Sequence, residues 1–195
     1  MKRGKFIVFY GVNSLGKTTQ AKMLVDRIIK DDKKAEYVKY AHYELEPSGP
    51  IINSYLRQGN PYNLTPTEFQ IIQVLNRTQY QTTLEENLKK GITIVAEDYI
   101  GTGIAWGIGA GARPELLTLL NSHLIKEDIA FLFTGEPFSA GKEREHLHEE
   151  NETLTKRVAS VHSDLARTYG WTLINANRPR PEINEEIWQK VKKIL

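Results

Sequence analysis

The stretch FYGVNSLGKTTQAKML, residues 9–24, constrains the fold more than any other part of the chain. Gly11, Gly16, Lys17 and Thr18 fit the spacing G-x-x-x-x-G-K-[ST]. Before the loop, the apolar run from Phe6 to Tyr10 reads as a buried strand. After it, Ala21, Leu24, Val25, Ile28 and Ile29 recur at helical spacing. Glycines at these positions let backbone N–H groups curl inward, and the start of the next helix adds positive potential. The loop is therefore built to grip an anion, here the phosphates of ATP. Lys17 would contact the β- and γ-phosphates, and the Thr18 hydroxyl would hold Mg²⁺. Asn13, Ser14, Leu15 and Thr19 complete the nucleotide-binding segment.

Strands and helices alternate along the rest of the chain. A second strand is expected over residues 35–43. A long helix starts at LTPTEFQ, where Thr65 caps, Pro66 suits the first helical position and Glu68 completes a capping box. It runs to Lys90, and Gly91 stops it. ITIVAED (92–98), IAFLFT (129–134) and WTLINA (171–176) read as further strands. Leu154, Val158, Val161 and Leu165 form a helical stripe between the last two, and a closing helix covers about 182–194. The glycines of GTGIAWGIGAG mark either close backbone approach or mobility. Such alternation predicts a P-loop α/β sandwich: one domain over 1–195, a five-stranded parallel sheet and a short lid at about 136–150.

At 195 residues the chain suits one domain, with 40% apolar and 26% charged residues, the balance of an ordinary globular protein. A net charge of +2 makes no broad electrostatic case for a nucleic-acid or membrane partner. With no cysteine, a disulfide framework, a thiolate nucleophile and a cysteine zinc site are all excluded. The apolar run at the N-terminus is too short for a signal peptide, so a cytoplasmic location is expected.

The chain resembles the thymidylate kinase family of nucleoside monophosphate kinases. Besides the phosphate loop, LEPSGPIINSYLRQG resembles the family's R-E-P-G-G-T segment. LNRTQYQTTLEENLKKGITIVAEDYIGTGIAW is similar to its long arginine-bearing helix, strand and D-R-Y-x-x-S-x-x-A-Y element. LTKRVASVHSDLARTYGWTLINANRPRPEI is similar to its closing helix, last strand and adenine-side loop, which brings Asn177 to the nucleotide. The resemblance implies ATP-dependent phosphorylation of a nucleotide, most readily dTMP, with Mg²⁺, in a homodimer. It implies that Arg77 faces the acceptor, that Trp106 crowds the sugar edge and that Thr102 sits beside the base. Asn13 stands where an aspartate reaches the sugar 3′-hydroxyl. Ser14 stands where some members carry an arginine, so the transition-state cation is expected from the lid, as Lys142 or Arg144. The residues themselves place Gln73 and Arg77 one helical turn apart on one face, with Tyr80 close by.

The family's acceptor-phosphate arginines are absent: one falls on Leu45, the other on Asp98, with Glu97 before it. A nucleoside acceptor would instead need a carboxylate as general base, and LEPSG also resembles the E-P segment of deoxynucleoside kinases, with Glu46 in that part. A third reading is a P-loop nucleotide-binding protein without acceptor chemistry. Ligands gather at the C-terminal ends of parallel strands, so Glu97 is expected near Mg²⁺. Asp98 is expected to point the other way, because strand neighbours alternate faces.

Overall fold

Strand β1 (Phe6–Tyr10) is buried at every residue because both of its faces are covered. A computed structural model describes residues 2–138 and 152–195. In it β1 pairs in parallel with β3 (Thr93–Glu97) on one side and β4 (Ile129–Thr134) on the other. Strands β2 (Ala35–Lys39) and β5 (Thr172–Asn175) flank them, giving the order β2-β3-β1-β4-β5 with every pair parallel. The expected second strand ends early: residues 40–43 leave the sheet.

Alternate strand residues feed two apolar clusters. Ile7, Phe9, Val95, Phe131 and Phe133 pack with α1 (Lys17–Lys30) and α7 (Arg180–Val191), through Ala21, Leu24, Ile28, Ile183 and Ile187. Phe6, Val8, Tyr10, Ile94 and Leu132 pack with Leu84 and Leu88 of α3 (Pro66–Lys89). Helix α6 (Glu152–Tyr169) reaches both, through Val158 and Ala166. Ile29 shares the spacing of the α1 stripe yet lies 51% exposed, past the edge of the buried face. The closing helix starts and ends earlier than its apolar pattern predicts.

Helix α3 begins as its sequence dictates. Thr65 Oγ1 accepts from Glu68 N at 3.3 Å, Glu68 Oε2 accepts from Thr65 N at 2.8 Å, and Pro66 occupies the first turn. Helix α4 (Ile100–Gly109) settles what its glycines are for. A Cβ on Gly103 would meet Arg77 Nη2 at 2.3 Å, and one on Gly109 would meet Val158 at 2.7 Å. Close approach, against α3 and α6, is the reason for both.

Two short helices, α2 (Ser48–Arg57) and α5 (Pro114–Leu120), complete the described chain. The segment between β2 and α2 is pinned by α3. Asn76, fully buried, accepts from His42 N at 2.8 Å and donates to His42 O and Ser48 Oγ, each at 2.8 Å. Gln79 bonds Ser48 and the Glu46 carbonyl beside it. Truncating Asn76 takes the side-chain partner from both the N–H and the carbonyl of partly buried His42, while Ser48 Oγ keeps Gln79. Asn76→Ala is expected to lower stability by about 2–4 kcal/mol in urea denaturation.

Candidate active site

The chain leaves β1 at Gly11, whose φ of 130° and a would-be Cβ 2.6 Å from the Phe133 carbonyl admit no side chain. The loop then curls into α1, which starts at Lys17. Lys17 is 3% exposed, and its Nζ donates to the carbonyls of Gly11 at 2.8 Å and Val12 at 2.9 Å. Ser14 holds a φ of 61°, its Oγ is buried with no partner among the described residues, and its carbonyl accepts from Phe138 N at 2.8 Å. A buried donor without a partner suits an anion's oxygen.

Because β1 and β3 run parallel with Phe9 opposite Glu97, the end of β3 lies beside the loop. Glu97 Oε2 accepts from Thr18 Oγ1 at 2.7 Å and from Tyr37 OH at 2.8 Å. Lys39, opposite Glu97 in the register of β2, brings its Nζ to 3.9 Å from Glu97 Oε1. Hydroxyl and carboxylate oxygens suit a hard cation. One hydroxyl and one carboxylate are the sparse set that Mg²⁺ takes when substrate phosphates and water supply the rest.

Asp98 does not point away. The strand ends at Glu97, and a φ of 60° at Asp98 turns the chain so that its carboxylate comes back into the same cavity. Period-two alternation holds only while the backbone stays extended. Asp98 Oδ1 accepts from Thr102 Oγ1 at 2.9 Å and lies 3.9 Å from Lys17 Nζ. Burial raises its pKa, with Glu97 adding to the rise; Lys17 opposes it.

These groups line a cavity of about 380 Å³, a volume suited to small ligands. It runs from Asn13, Ser14, Leu15, Gly16, Lys17, Thr18 and Thr19 to Gln73, Arg77, Thr102 and Trp106. Gln73 and Arg77 share the face of α3 that looks into it. Arg77 is 4% exposed; its Nη1 donates to Asn121 Oδ1 at 3.2 Å, and burial lowers its pKa. Tyr80 instead stacks on His42 outside the cavity. Glu46 is the carboxylate that the fold keeps away: it is exposed and does not line the cavity. Asn177 clamps the loop after β4, accepting from Glu136 N at 2.7 Å and donating to Glu136 O at 2.9 Å. Lys142 and Arg144 lie outside the described residues.

The thymidylate kinase family model matches residues 9–187. The chain belongs to the thymidylate kinase family. It is 28% identical over 197 aligned residues to a thymidylate kinase of Plasmodium falciparum, covering 99% of this chain and 92% of that protein. Against a thymidylate kinase of Dictyostelium discoideum it is 30% identical over 189 residues, covering 96% and 84%. A solved structure of thymidylate kinase from Candida albicans superposes with a TM-score of 0.82 at 20% identity, covering 98% of this chain and 92% of that one. The fold is thus the P-loop NTPase sandwich, shared with that family member. No helix among the described residues is long and apolar enough to cross a membrane.

Sequence reasoning passed over Lys39, Tyr43, Leu56, Arg57, Phe69 and Gln70, all of which line the cavity. Lys39 sits in the middle of the strand expected over 35–43 and becomes a strand end only because the sheet stops there. The others come from helix ends and turns whose direction depends on packing. His162 was also missed. It lies on α6 behind the phosphate loop, 1% exposed, against a second cavity of about 270 Å³, and neither ring nitrogen has a partner among the described residues. Burial, then the Lys17 charge, push its pKa down to about 3. An unfolded histidine titrates near about 6.5. Between those values only the unfolded chain binds the proton. Stability therefore falls as pH drops from about 6.5 towards 3, by about 1.4 kcal/mol per pH unit from this residue. His162→Phe is expected to flatten the stability–pH profile over that range, measured by urea denaturation at a series of pH values.

Proposed function

We propose that the chain is an ATP-dependent kinase that phosphorylates a nucleoside monophosphate, dTMP to dTDP. The observation that carries this is one cavity joining the phosphate loop to Gln73, Arg77, Thr102 and Trp106, in a chain whose family match covers residues 9–187. Donor and acceptor would meet at the carboxylate end of β3.

In this reading Lys17 leaves the Gly11 and Val12 carbonyls and turns to the β- and γ-phosphates, while loop N–H groups hold the donor in place. Thr18 and Glu97 would hold Mg²⁺, which supplies charge neutralisation at the phosphates. An acceptor phosphate oxygen attacks the γ-phosphorus in line; the bond to the ADP oxygen breaks, and the phosphoryl group moves to dTMP. Arg77 and Gln73 bind the acceptor's base end, with Thr102 beside it, and Trp106 packs at the sugar edge. Arg144 or Lys142 is assigned the transition-state cation. The reading also puts the enzyme in the cytoplasm.

The test is ATP consumption with Mg²⁺ over thymidine and dTMP, deoxycytidine and dCMP, deoxyguanosine and dGMP. Turnover with dTMP is expected. Arg77→Ala should lower kcat/KM for dTMP by about tenfold to hundredfold and leave ATP binding intact. Turnover of thymidine in place of dTMP would overturn the acceptor assignment; the exposed position of Glu46 speaks against that outcome.

The homodimer belongs to the same proposal. Ile71 and Leu75 lie one helical turn apart on α3, 44% and 38% exposed, an apolar pair on the surface of the long helix. Light scattering should give twice the chain mass for the wild type, and a monomer for Ile71→Glu combined with Leu75→Glu.

A further inference from the structure

An acceptor monophosphate brings nearly two negative charges into the cavity. The positions where the family's arginines fall supply no answer to them. Leu45 lies off the cavity, and its carbonyl is taken by the start of α2, accepting from Gly49 N at 2.6 Å. Asp98 adds negative charge, and its carboxylate is engaged by Thr102 and Lys17. The acceptor phosphate must be met by other cations.

The described cavity wall carries Lys17, Lys39, Arg57 and Arg77 against two carboxylates, Glu97 and Asp98. Lys17 belongs to the donor loop. Arg77 is buried against Asn121 and Gly103, on the floor between α3 and α4. Lys39 and Arg57 line the same cavity. Lys39 ends β2 opposite Glu97, whose other oxygen bonds Thr18, so its ammonium stands where acceptor and γ-phosphoryl must meet. Arg57 ends α2, with its guanidinium 5.9 Å from the centre of the Tyr43 ring, on the acceptor wall of the cavity. A guanidinium binds phosphate through two parallel N–H bonds and an ammonium as a point charge, so the two act together without competing for geometry.

We propose that Lys39 and Arg57 form this enzyme's clamp on the acceptor phosphate, in place of arginines at positions 45 and 98. The inference rests on the monophosphate kinase reading and names the residues that make a monophosphate acceptable there. Both side chains are exposed and line the cavity, so truncating them opens no hole in the core.

The experiment measures steady-state kinetics with dTMP and ATP, and equilibrium binding of dTMP and of thymidine, for the wild type, Lys39→Ala, Arg57→Ala, the double variant and Lys39→Arg. Each alanine variant should lose about tenfold in kcat/KM for dTMP and in dTMP affinity, and the double variant more. Thymidine binding and the KM for ATP should stay within about twofold of wild type. Lys39→Arg should keep most of the activity. Loss of dTMP and thymidine binding together would overturn the clamp, because a collapsed pocket and not a lost charge would explain it. Wild-type turnover of dTMP that survives the double substitution would also overturn it. A wild type that neither binds nor phosphorylates dTMP overturns the functional reading itself, and the clamp with it.

Discussion

The parallel pairing of β1 with β3 is the constraint on which the site depends. Its register sets Glu97 beside the end of β1, and the turn at Gly11 throws the start of α1 back over the strand ends. Thr18 and Glu97 then come within 2.7 Å although 79 residues separate them in sequence. Slide the register by one residue and Glu97 would turn from the α1 side to the α3 side, since successive side chains of a strand point to opposite faces. The apolar faces of both strands oppose that slide, so the core holds the chemistry in place.

Charge is the second organising feature. Lys17 is buried among loop carbonyls, close enough to Asp98 to offset part of its negative charge, and it helps to keep His162 neutral. Asp98 occupies a left-handed backbone position that aspartate tolerates better than most residues. Its turn brings a carboxylate to a cavity that must admit an anion. Lys39, on the neighbouring strand, and Arg57, at the end of α2, line the same cavity with the opposite charge.

Much of this was legible in the sequence. The phosphate loop announces itself because its chemistry needs glycines and a lysine at fixed spacing, and the capping box of α3 because it acts over three residues. Four of the five strands were visible as apolar runs, and the second as a more polar stretch. The reading failed where a residue's direction depends on distant contacts. Asp98 was expected to follow strand alternation, but the strand had already ended. Residues 40–43 looked like strand and became a cavity wall, pinned by Asn76 from a helix more than thirty residues away. Glu46 carried a motif's promise and lies exposed, because Gln79 holds its backbone and leaves the side chain to water.

What the sequence determined alone was local: the phosphate loop, the caps, the buried strands and the parallel α/β class that their alternation demands. These rest on interactions over a few residues, so composition and spacing suffice. The tertiary structure decided which side chains share the cavity. Strand order, the packing of α3 on the 40–48 segment and the reversal at Asp98 brought Lys39, Arg57, Arg77 and Glu97 together. Those neighbours are far apart along the chain, and only the packed core sets the distances between them.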